Sequence, residues 1–284
     1  MAVTPAARLA QSRRWPGVVA WALWTLAVAA CLVIPRLDDL LRRAGRADLV
    51  QWDARPGVAV VITVTVGAVL ASRRPRHPVG WLLLAQTVVL IAAGAAAQYV
   101  AWGLLAPGGA LPATRQVALY YSAATGGGLI LLGFVLLLTP TGKLPSPRWR
   151  WWARAMVAVP LGLLMVVTLV PGPVDPYQQV LAGPFDFRGL GGVLLVVNQL
   201  VLVFTTLTVA VCAGSLVVRF RRAGGVERQQ LRWVALAATL MVPAAMVGLA
   251  GMALGSSEVV TWAVTAWLAG LPLALGAAVL RYRL

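Results

Sequence analysis

Trp81 and Trp102 lie twenty-one residues apart with no charged side chain between them. As a helix this stretch is about 31 Å long at about 1.5 Å per residue, close to the roughly 30 Å hydrocarbon core of a bilayer. A tryptophan at each end fits the two interfacial aromatic belts. The run belongs to an apolar segment over residues 79–105, and the sequence repeats the theme. Further apolar runs lie at 17–34, 57–72, 117–139, 152–170, 193–218, 231–254 and 259–280. A spanning helix needs about 20 apolar residues, within roughly 17–25. The chain is therefore expected to be an all-α integral membrane bundle of about eight transmembrane helices, preceded by a tail over residues 1–16. Composition agrees, with 60% hydrophobic and 11% charged residues. Soluble domains average about 45–50% apolar and about 25% charged.

The charges test the count. Eight crossings place both termini on one side. That side then carries 17 basic residues against one acid, Glu227, while the other carries seven of each. Short loops rich in Lys and Arg stay in the cytoplasm, so both termini are expected there, in a bacterial plasma membrane. The net charge of +16 is dispersed in clusters between apolar runs. Nucleic-acid binding needs a basic stripe on a soluble domain, and nucleic acid is not an expected partner. The first outer loop is the exception, with R36-L-D-D-L-L-R-R-A-G-R. Leu37, Leu40, Leu41 and Ala44 recur at helical spacing, which predicts an amphipathic helix lying at the outer interface. Within V28-A-A-C31 the apolar run continues past the cysteine, so the first span is expected to be permanent rather than a cleaved leader.

Ionisable groups at membrane depth are costly and mark coupling sites. Every Asp, Glu, Lys and Arg here falls in a loop or near a span end. The deepest polar groups are Gln86, Gln98, Asn198 and Gln199, candidates for interhelical hydrogen bonds or a small sensing cavity. His77, the only histidine, sits in the turn R73-R-P-R-H-P78 and lacks partners for a metal site. Two cysteines inside apolar runs offer neither a disulfide framework nor a thiol site. G126-G-G128 lacks the lysine of a phosphate loop. No cofactor, metal or catalytic constellation is expected. Pro160, Pro243 and Pro272 fall within spans, where kinks are tolerated.

The inner loops carry more pattern. T139-P-T-G-K-L-P-S-P-R-W-R150 reads as a rigid turn held at headgroup level. R219-F-R-R-A-G-G-V-E-R-Q-Q-L-R-W233 breaks at its glycines and restarts as a helix, with Glu227 in the favoured first turn. Four segments, R-R-P-R-H-P-V-G-W-L-L-L, L-L-L-T-P-T-G-K-L-P-S-P-R-W-R, F-R-R-A-G-G-V-E-R-Q-Q-L-R-W and the terminal A-V-L-R-Y-R-L, resemble, in order and interval, the polytopic membrane input region of sensor histidine kinases from high-GC bacteria. The resemblance covers residues 73–284. It implies a role in two-component signal transduction, with the last helix leading toward a dimerisation helix and an ATP-binding domain. Neither of those is present in these residues: His77 lies in a turn, and Asn198, the only asparagine, lies within a span. No kinase activity is expected of the chain by itself. Arg221, Arg222, Glu227, Arg228, Arg281 and Arg283 are the candidates for coupling to a cytoplasmic signalling partner or a second copy. Two rival functions share these features: a small facilitator of an apolar solute, and a structural membrane subunit that recruits a cytoplasmic partner.

Overall fold

The computed structural model describes residues 5–45, 54–105, 111–139, 141–169, 191–222, 224, 243, 246–248, 250–251 and 254–281. Seven helices have defined bounds: α1 (Pro5–Arg43), α2 (Ala54–Arg73), α3 (Pro78–Leu105), α4 (Thr114–Leu138), α5 (Trp149–Leu169), α6 (Gly191–Arg222) and α7 (Ser257–Arg281). Among the described residues there is no strand. Six of the seven helices follow the predicted apolar runs closely, because each run is bounded by Pro, Gly or charge. The run at 231–254 lies largely outside the described residues. Its described positions, among them Pro243 and Met246–Gly248, are helical, and a Cβ at Gly248 would stand 3.3 Å from Ala263 of α7.

The first helix departs from expectation. The first span is expected to end with its apolar run at Ile34, ahead of Pro35, and the residue before a proline disfavours α geometry. Instead α1 continues through Pro35 to Arg43 as one 39-residue helix. The amphipathic segment is thus an extension of α1, and its buried stripe is not the one proposed from Leu37, Leu40, Leu41 and Ala44. Ile34, Asp38 and Leu41 are buried, while Leu40 is 48% exposed and Ala44 is exposed. Packing along the 34, 38, 41 stripe outweighs the hydrogen bond that Pro35 cannot donate.

α2 lies against α1, α3 and α7, and α4 joins α3 to α5 and α6. Small residues set the spacing in the first group. Ala20 and Ala27 of α1 meet Val64, Ala68 and Ala71 of α2 and Leu84 of α3 in one apolar cluster. Alanine and glycine let helix backbones approach closely where van der Waals contact drives association. A larger cluster joins Leu83 of α3, Leu136 of α4, Met156 of α5, Leu216 of α6 and Leu271 of α7. Among the described residues, two helices, α1 and α3, are long and apolar enough to cross a membrane. Outward faces also carry apolar side chains, including Leu32 at 66% and Leu200 at 61% exposure.

Candidate functional site

Two polar centres are built into the bundle, one near each end of α3. The first forms where the end of α1 meets the end of α3. Gln98 is buried, and its Nε2 donates to Oδ1 of the buried Asp38. Gln98 Oε1 has no partner among the described residues, nor has Nε1 of Trp102 one turn further on. Gln86 is buried too, with Oε1 unpaired. It sits about 18 Å from Gln98 along the helix at about 1.5 Å per residue, so the two amides do not share a site. Asn198 and Gln199 lie on α6, and their side chains fall outside the described residues.

Asp38 was not among the sequence candidates, which placed it with the solvated charges of the first outer loop. The spacing of Ile34, Asp38 and Leu41 was the signal that could have found it. The carboxyl lies one turn past Ile34, within the apolar stretch Trp15–Arg43 of α1. Arg42 donates to Asp39, at 3.1 Å. Asp38→Asn keeps an acceptor for Gln98 and removes the charge. It is expected to unfold within about 1 kcal/mol of wild type. Gln98→Leu strips the buried carboxyl of its donor and is expected to lose about 1–3 kcal/mol. Denaturation series compare the two, and equal stability of Asp38→Asn and Gln98→Leu would refute the assignment.

The second centre gathers three connecting segments at the opposite end of α3. α4 ends at Leu138, leaving its last carbonyls without intrahelical donors. Arg219, in the final turn of α6, supplies them. Its Nη1 donates to Thr139 O at 2.7 Å, and its Nη2 donates to Leu137 O at 3.0 Å and Lys143 O at 2.6 Å. A guanidinium fork suits this task, with a fixed planar set of donors and a positive charge at the negative end of the α4 dipole. The loop then turns back on the α2–α3 connection. Gly142 adopts φ +72°, and a Cβ there would stand 2.9 Å from Pro78 Cδ. The turn before α3 is closed by His77 N donating to Arg74 O at 2.9 Å and by Trp81 Nε1 donating to Pro75 O at 2.9 Å. Leu144, Trp149, Trp152 and Phe220 pack onto the larger apolar cluster beneath.

The α2–α3 turn, the α4–α5 loop and the final turn of α6 are therefore assembled in one knot. The residue that ties it, Arg219, was counted in the sequence only as one more inner cation. Its position immediately after the apolar V217-V218 was the available signal. Of the predicted coupling residues, Arg221 is exposed in the last turn of α6. Arg222 ends α6 and Arg281 ends α7, with both side chains outside the described residues; Glu227, Arg228 and Arg283 lie wholly outside them. Among the described residues no three His, Cys, Asp or Glu side chains gather as a metal site. The chain matches no protein-family model, no curated protein and no solved structure.

Proposed function

We propose that this chain is a multi-pass membrane signal-input module of about eight spanning helices, both termini cytoplasmic, working as the transmembrane part of a sensor histidine kinase works. The observation that carries the reading is the Arg219 knot. It ties the end of α6 to the α4–α5 loop and, through Gly142, to the start of α3. A change in packing among these helices reaches the residues after Arg222 through a stiff junction rather than a slack loop. The apolar outward faces and the one-sided arginine distribution support the membrane setting. A switch of this kind requires a stimulus that binds two packings with different affinity.

The test joins the full chain, after Leu284, to the dimerisation and ATP-binding core of an unrelated histidine kinase. Autophosphorylation in vesicles is expected to change with bilayer composition, and Arg219→Gln is expected to abolish that response while leaving the basal rate in place. Activity indifferent to the bilayer, or flux of apolar solutes above the empty-vesicle background, would instead point to the facilitator. A reporter enzyme that is active only outside the cell, fused after Leu284, is expected to stay inactive.

A further inference from the structure

The surface of α5 changes chemistry along a single stripe. Arg150, Arg154, Val157 and Leu161 recur at intervals of four, three and four residues, which aligns them on one helix face. All four are exposed, the last two at 46% and 56%. Two cations therefore stand directly above two apolar side chains. Trp151 borders the cationic half, 73% exposed, with the Arg154 guanidinium 4.9 Å from its ring centroid. Arg148 and Lys143, both exposed, add charge just before the helix begins. Residues 139–154 contain no acid. The Arg219 fork holds the backbone at Lys143, and α5 itself fixes the spacing of Arg150 and Arg154.

We propose that this stripe binds an anionic phospholipid, with the phosphate at Arg150 and Arg154 and an acyl chain along Val157 and Leu161. The inference rests on the membrane setting proposed above. Charge complementarity selects an anionic headgroup, since basic clusters beside a spanning helix attract anionic lipids. The apolar continuation of the same face favours a lipid over free phosphate, which needs no hydrocarbon contact. Trp151 is placed where an amphipathic ring sits at the headgroup level.

The test reconstitutes the full chain in nanodiscs of phosphatidylcholine and phosphatidylglycerol at equal mole fraction, with one or the other brominated. Tryptophan fluorescence then reports which lipid lies against the protein. Brominated phosphatidylglycerol is expected to show an apparent preference of about threefold, falling with added salt. The double variant R150Q/R154Q is expected to lose the preference, and R150K/R154K is expected to retain it. This pair separates lost charge from misfolding. Inorganic phosphate at constant ionic strength is expected to leave the preference intact. Equal quenching by both lipids, a preference unmoved in R150Q/R154Q, or competition by inorganic phosphate would overturn the proposal. So would a disulfide-linked dimer of V157C without lipid preference, because a second copy would then cover the stripe. Quenching by neither lipid would sink the membrane setting itself, a different result from equal quenching.

Discussion

Gly80→Ala is expected to unfold far more readily than the wild-type chain, losing about 3 kcal/mol from overpacking in a site that cannot relax. The reason is where the added methyl would go. A Cβ at Gly80 would stand 2.6 Å from the backbone nitrogen of Ala71, 2.9 Å from Leu70 Cβ and 3.1 Å from Ala71 Cα. These are parts of α2 itself rather than the tip of a flexible side chain, so relief requires the whole α2–α3 pair to part. Gly67 faces the same seam, where a Cβ would lie 3.1 Å from Leu83 Cβ and 3.2 Å from the Gly80 carbonyl. Close approach of two helices at small residues is where much of their van der Waals association arises. Glycines at Gly162 and Gly214 supply the control, since nothing stands within 4 Å of a Cβ there. Alanine at either is expected to be neutral or to add about 0.5–1 kcal/mol, because helix-interior glycine is itself unfavourable. Unfolding followed by tryptophan emission in detergent micelles compares the three. Equal stability of Gly80→Ala and Gly214→Ala would refute the close α2–α3 seam.

The same seam shows what could and could not be read along the chain. Helices α2 to α7 were legible because apolar runs and their Pro, Gly and Arg boundaries are local signals. Gly67 and Gly80 were not, since a glycine in an apolar run looks alike whether it faces a neighbouring backbone or open space. Asp38 was misassigned for a related reason. An apolar run that ends at Ile34 separates Asp38 and Leu41 from the stripe begun there, whereas packing carries α1 through Pro35 as one helix. The proposed sites divided in the same way. Gln98 was legible as a buried amide, but its partner lies sixty residues away on α1. The knot's loops announced rigidity through T-P-T-G-K-L-P, yet no spacing reveals that Arg219, some eighty residues later, closes it.

Arg219→Gln is expected to cost about 3 kcal/mol, since charge-assisted hydrogen bonds contribute about 1.5–3 kcal/mol each and are not additive. Three carbonyls lose their donor together: two at the end of α4, and Lys143 O in the loop. Arg219→Lys separates charge from geometry. An ammonium is a point charge on a flexible stem and cannot hold a planar fork across Leu137, Thr139 and Lys143. It retains the favourable position at the α4 C-terminus, worth about 0.3–1 kcal/mol, so Arg219→Lys is expected to recover about a third of the loss. The local consequence is the sharper measurement. Trypsin cleaves the peptide bond after Lys143, whose carbonyl Arg219 holds at 2.6 Å. Freed of that contact, the exposed Lys143 is expected to be cut at least about tenfold faster in Arg219→Gln, as local opening becomes cheaper by more than about 1.4 kcal/mol. Arg221→Gln, a change of the same kind on an exposed side chain one position past Phe220, is expected to leave cleavage unchanged. If Arg219→Lys resists trypsin as well as the wild-type chain does, charge alone holds the loop. The stiff link from α6 to the α4–α5 connection, on which signal transfer depends, would then be lost.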